Sequence, residues 1–237
     1  MPGTTACGLP IAIVLVAVAL LNTSPVGGRA AAADASQSAA DAAAPPSAGI
    51  TQRPTWKTIR LGTVHSVIAL REALESPGCG SARVAVARMS DRPSCHLGSD
   101  ANEALGQRGF RLSADIRAVD LVQASAVDLG FAADATPGLA EIYARGEEAG
   151  LAICPTEVGP QLRLQYLNQP VGEFLPIAMA PLATYAGEPI IFLVGNGGAG
   201  LLLVGRSAAP DTHIPGFIEF VFCRPARQSA PAAPFLR

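Results

Sequence analysis

The chain has 237 residues, 17 Lys and Arg against 19 Asp and Glu, a formal net charge of −2 and only 15% charged residues. Such a balance lacks the concentrated basic surface that nucleic acid requires, which excludes that class of partner. With 49% hydrophobic residues, the chain is also too apolar to be wholly disordered, and its length suits one domain between two unstructured ends.

In chain order, the uninterrupted apolar run Ile11 to Leu21 is shorter than the roughly 20 residues that span a bilayer. It is followed by the small-x-small site Ala31-Ala32-Ala33, and residues 1–33 read as a secretory signal. The expected location is therefore secreted or periplasmic, with a retained N-terminal anchor as the alternative and no membrane span once the signal is removed. Its removal takes away Arg29 and no acidic residue, moving the net charge from −2 to −3. Residues 34–53, rich in Ala, Ser, Pro and Asp, read as a disordered linker.

The globular domain is expected over 54–225. Trp56 to Leu61 alternates as a strand ended by Gly62, with the sole Trp expected in the core. Ser66 is placed as N-cap of a helix carrying Val67, Leu70 and Leu74 and stopped by Pro77-Gly78. Residues 79–110 show no sustained period and read as an irregular insertion. Val119 to Val127 reads as a central strand. Thr136-Pro137 is expected to open a second helix with the apolar stripe Leu139, Ile142 and Tyr143, closed by Gly150.

Beyond it, Leu175 to Met179, Ile190 to Val194, Leu201 to Val204 and Ile218 to Phe222 read as successive antiparallel strands. Gly195-Asn-Gly-Gly-Ala-Gly200 matches Gly-x-Gly-x-x-Gly by letter, but a strand pattern follows where the dinucleotide fingerprint needs a helix, so a hairpin turn is expected. After Arg224-Pro225, residues 226–237 form an Ala- and Pro-rich disordered tail. The sum is a single α+β domain with a mostly antiparallel sheet of about five or six strands and two short helices.

Polar residues concentrate in one stretch, Cys154 to Glu173. Gly159-Pro160 reads as a break and Leu162 onward as a short strand, which puts Arg163 and Gln165 on one face with Glu157 at the turn. The candidate ligand-binding residues are Glu157, Arg163, Gln165, Tyr166, Gln169 and Glu173. A guanidinium beside an amide suits a carboxylate, a phosphate or a peptide backbone, while the structural alternative pairs Arg163 with Glu157.

No Gly-x-Ser-x-Gly nucleophile motif and no zinc-type Cys/His spacing occurs, and neither a cofactor nor a catalytic residue is assigned. Loss of Cys7 with the signal leaves Cys79, Cys95, Cys154 and Cys223, enough for two disulfides, with Cys79–Cys95 the candidate bridge across the insertion. The expected role is an exported, non-enzymatic binding module for an unknown protein or small-molecule ligand. The alternative is a hydrolase using Glu157 and Glu173 as acid and base with help from Arg163.

Five blocks also resemble, in order, a domain family recurring in bacterial proteins of no assigned activity. They are Trp56-Lys-Thr-Ile-Arg-Leu-Gly-Thr63, Val119-Asp-Leu-Val122 with Asp128-Leu-Gly-Phe131, Glu141-Ile-Tyr-Ala-Arg145, Cys154-Pro-Thr-Glu-Val-Gly-Pro-Gln-Leu-Arg-Leu-Gln-Tyr166 and Val194-Gly-Asn-Gly-Gly-Ala-Gly-Leu201. The resemblance covers the folded region except 79–110, where the family has an aromatic-containing segment and this chain is rich in Cys, Arg and Ser. It implies no activity and no site residues.

Overall fold

A computed structural model describes residues 53–76, 79 and 94–225. The expected signal, the expected linker as far as residue 52, most of the segment before Ser94 and the expected tail lie outside the described residues. What is described mixes helix and strand around one apolar core that includes Leu61, Leu121, Leu162, Phe192 and Phe222.

Among the described residues eight strands form two sheets rather than the single sheet expected. The first has the order β1-β3-β8, from β1 (Lys57–Leu61), β3 (Arg117–Ser125) and β8 (Glu219–Cys223), all antiparallel. The second has the order β2-β7-β6-β4, from β2 (Cys95–Leu97), β7 (Leu201–Ser207), β6 (Pro189–Asn196) and β4 (Phe174–Pro176), with the two-residue β5 (Leu182–Ala183) also on β6. β2 lies parallel to β7, so this sheet is mixed. The last strand of the expected meander joins β3, far away in sequence, because its apolar row Phe220 and Phe222 closes the core beneath the first sheet. The sheets meet where the chain after β4 reaches β8, with Ala178 N donating to Val221 O (2.9 Å).

Helices number four among the described residues, not two. In α1 (Val67–Glu75) the Ser66 hydroxyl accepts from Ala69 N (3.1 Å), the capping bond its position promises. α3 (Leu139–Glu148) starts at Gly138, two residues later than Thr136-Pro137 indicated, and buries Leu139 and Ile142. α2 (Ser99–Leu105) and β2 fall inside the supposed irregular insertion, a correction with a plain cause. The buried face of α2 is Ala101, Ala104 and Leu105, too small a stripe to register as a period, and β2 has three residues.

α4 (Val158–Gln165) replaces the expected strand and turn. Pro160 does not break it, since in the first turn the missing N–H has no intrahelical acceptor to lose. Val158 to Arg163 are buried without a gap, so no polar face marked the helical period. The helix packs on α1, β1, β6 and β7. Gly159 lets it come close: a methyl group there would sit 2.7 Å from Phe192 Cβ, so the helix axis is held against β6 by the absence of a side chain.

The hairpin expected at the glycines is present. β6 and β7 pair from Ile190↔Ser207 to Asn196↔Leu201, and β7, not a helix, follows Gly200. Cys79 is bridged to Cys95 and Cys154 to Cys223. Trp56, expected in the core, is half-buried and meets Tyr166 edge-on with ring centres 5.3 Å apart.

Candidate functional site

The six candidate residues divide between two hydrogen-bonded clusters, one running along α4 from Glu157 to Gln165 and one gathered at its C-terminal end. At its start Glu157 is 0% exposed and both its oxygens are taken. Oε1 accepts from Gly62 N (2.8 Å) and Gln161 Nε2 (3.0 Å), and Oε2 from Ser113 N (2.7 Å). A carboxylate at a helix N-terminus is favoured by the dipole. Gly62 adopts φ +71, and a side chain on it would run into the Asp115 carbonyl, which makes glycine the residue that can bring its N–H to Glu157.

The ladder continues along one helix face. Gln161 Oε1 accepts from Thr63 Oγ1 (2.8 Å) and from Gln165 Nε2 (3.2 Å). Gln165 then meets the β1 backbone twice: its Oε1 accepts from Arg60 N (2.9 Å) and its Nε2 donates to Arg60 O (2.8 Å). A carboxamide placed this way makes the two bonds a neighbouring strand would make, so α4 closes the open edge of β1. Gln161 is the member that sequence reasoning missed. Its signal was the i, i+4, i+8 spacing Glu157, Gln161, Gln165, legible only once the segment is read as a helix.

The second cluster gathers Arg163, Tyr166, Gln169 and Glu173. Arg163 is 1% exposed. Its Nη1 donates to Gln169 Oε1 (2.5 Å) and Gly195 O (3.0 Å), and its Nη2 to Tyr166 O. Gln169 passes the connection on, donating from Nε2 to Val194 O (3.2 Å) and Glu173 O (3.3 Å). These bonds fasten the end of α4 to β6. Burial lowers the guanidinium to about 10, against the opposing pull of Tyr166 and Glu173, which leaves it charged at neutral pH. Burial first, and Glu173 second, push the Tyr166 phenol up to about 12. Lys57 Nζ stands 4.3 Å from the Tyr166 ring centre, a cation–π contact that covers the ring from outside.

The expected Glu157–Arg163 pair does not form. Six residues along a helix turn through about 600°, so the two side chains leave on different sides, and each finds other partners. Arg163 and Gln165 do not share a face either, being about 200° apart once the strand is a helix. Nor do Glu157 and Glu173 converge on a cleft: the first is spent on backbone amides and Gln161, and the second has Oε2 buried without a hydrogen-bond partner among the described residues.

Open space lies elsewhere. A groove of about 430 Å³ runs beside the start of α3, with Leu139, Ala140 and Tyr143 on one wall and Pro181, Ala208 and Pro210 on the other. Its polar groups are committed to backbone. Glu141 Oε2 accepts from Gly138 N (2.8 Å), His213 Nδ1 bonds Thr136 O (3.1 Å), and the Tyr143 hydroxyl donates to Met179 O (3.0 Å) while accepting from Met179 N (3.1 Å). Burial, only partly offset by Met179, raises the Tyr143 phenol above its ordinary range.

Among the described residues no group of three or more His, Cys, Asp or Glu could hold a metal, and no helix is long and apolar enough to cross a membrane. Comparison with known proteins returns no match among family models, curated proteins or solved structures.

Proposed function

We propose that the protein is an exported, non-enzymatic binding module whose ligand seat is the groove beside α3, and that it is a member of the bacterial domain family it resembles. The observation that carries the binding role is the groove itself: about 430 Å³ with mostly apolar walls, within the range of ligand sites. The hydrolase alternative loses its support because Glu157 has both oxygens filled and does not face a cleft.

An apolar probe tests the seat. Titrating 1-anilinonaphthalene-8-sulfonate into the full chain should shift the amide resonances of Leu139, Tyr143 and Ala208. Ala140→Trp, at an exposed position on the groove wall, should weaken that binding about tenfold by filling the space. Shifts confined to another surface, or affinity untouched by Ala140→Trp, would remove the groove from the reading.

Export is supported by the pairing of every cysteine beyond Cys7, since such bridges persist in oxidising compartments. N-terminal sequencing of protein from the native cell is expected to begin close to Asp34. A product starting at Met1 or Pro2 in the cytosol would overturn the expectation.

A further inference from the structure

The groove beside α3 is apolar in its walls and one-sided in its polar chemistry. Leu139, Ala140, Pro181, Ala208 and Pro210 bring no polar side-chain atom to it, and no Lys or Arg stands among its lining residues. The side chains there that can bond a ligand are Tyr143, Glu141 and His213.

An account of donors and acceptors at these three leaves only acceptors. The Tyr143 hydroxyl spends its proton on Met179 O and accepts from Met179 N. Thr136 O is a carbonyl and can only accept, so the proton of its contact with His213 sits on Nδ1, and the neutral ring keeps a lone pair on Nε2. Glu141 is exposed and gives Oε2 to Gly138 N, while its Oε1 has no hydrogen-bond partner among the described residues. Glu141 Oε1 and His213 Nε2 therefore both await a donor.

The charge has the same preference. The two segments that supply these groups, 132–143 and 207–219, carry Asp134, Glu141, Asp211 and Glu219 and no Lys or Arg. Asp211 is exposed and directly follows Pro210 of the wall. The positive end of α3 does not reverse the sign, because it amounts to roughly half a charge and Glu141, in the first turn, sets a whole negative charge against it. A cation is drawn to such a rim and a carboxylate is repelled.

Resting on the reading of this groove as the ligand seat, we propose that the ligand is a small amphiphilic amine. Its apolar body lies between α3 and the wall of Pro181 and Pro210, and its protonated amino group donates to Glu141 Oε1 and His213 Nε2. An alkylammonium has three N–H donors, enough for both acceptors. A space of about 430 Å³ is of the size that encloses a free small molecule, which favours one over a segment of a partner protein.

The test titrates the full chain with n-octylammonium, 1-octanol and octanoate, which share an apolar body and differ in the charge of the head. Binding is read from the amide resonances of Leu139, Tyr143 and Ala208 at low ionic strength. The ammonium should bind tightest, at least about fivefold tighter than octanoate, and the difference should shrink as salt is raised. Glu141→Gln keeps an acceptor for Gly138 N and removes the charge, so it should erase most of the preference. Octanoate binding as tightly as the ammonium, or a preference that survives Glu141→Gln, would overturn the amine while leaving the groove as an apolar seat. A capped Ala-Val-Lys-Val-Ala peptide that binds more tightly than octylammonium would assign the seat to a protein segment and overturn the proposal as well. If none of the three octyl compounds shifts these amides, the groove itself is not a ligand seat and both readings fall.

Discussion

Arg163→Ala is expected to cost about 3 to 5 kcal/mol of stability, the range for breaking a buried charged network. The substitution strands three acceptors, Gln169 Oε1, Gly195 O and Tyr166 O, and empties a space that is 1% exposed. Arg163→Lys keeps the charge but not the fork, so it should recover only a minor part of the loss. Denaturant melts of Arg163→Ala, Gln169→Ala and the double variant should show coupling, because the side chains touch. The same cycle with Glu157→Gln should be additive, because that carboxylate shares no partner with Arg163. An unchanged melt for Arg163→Ala would free the guanidinium for a ligand and contradict its structural role.

The elements that could be read from the letters carry their own local instructions. Ser66 announces α1 by a bond it makes within four residues, and Gly150, at φ +78, ends α3 where a left-handed residue is needed. β6 and β7 are neighbours in sequence, so a glycine turn sufficed to pair them. What could not be read is non-local. β8 crosses to β3, and nothing in Phe220 or Phe222 names Val122 and Ala124 as their partners. α4 escaped for the opposite reason: a helix buried on all sides has no amphipathic period, and Leu162 and Leu164 imitate a strand over so short a run.

The stretch was legible as a concentration of hydrogen-bonding side chains, and the partners those side chains take were not. Glu157, Arg163 and Gln169 are buried members of hydrogen-bonded clusters and Gln165 is an exposed one, and together the clusters clamp α4 between β1 and β6. A concentration of polar residues in a chain poor in charge signals an unusual number of hydrogen bonds to satisfy. Whether backbone or ligand satisfies them depends on burial, and burial follows from tertiary packing. The groove beside α3, by contrast, is lined mainly by residues such as Ala140, Ala208 and Pro210, whose letters carry no chemistry that a sequence pattern would pick out.

Removal of the disulfides is the second large effect expected. Cys154–Cys223 closes a sequence separation of 69 and Cys79–Cys95 one of 16, for which chain entropy gives about 4 and about 3 kcal/mol. The longer bridge also holds the approach to α4, where Cys154 N donates to Ala178 O (2.6 Å), and its two residues are 5% and 3% exposed. Cys154→Ala with Cys223→Ala should therefore destabilise more than Cys79→Ala with Cys95→Ala, by about 1 kcal/mol or more. Together the two losses approach the whole stability of an ordinary domain, about 5 to 15 kcal/mol. Under excess dithiothreitol the wild-type chain should accordingly melt near or below physiological temperature. Guanidinium melts of the two double variants and a thermal scan in reductant measure both claims. A reversed order between the bridges would refute the entropic ranking, and a reduced chain that melts where the oxidised one does would take away the support that the bridges give to export.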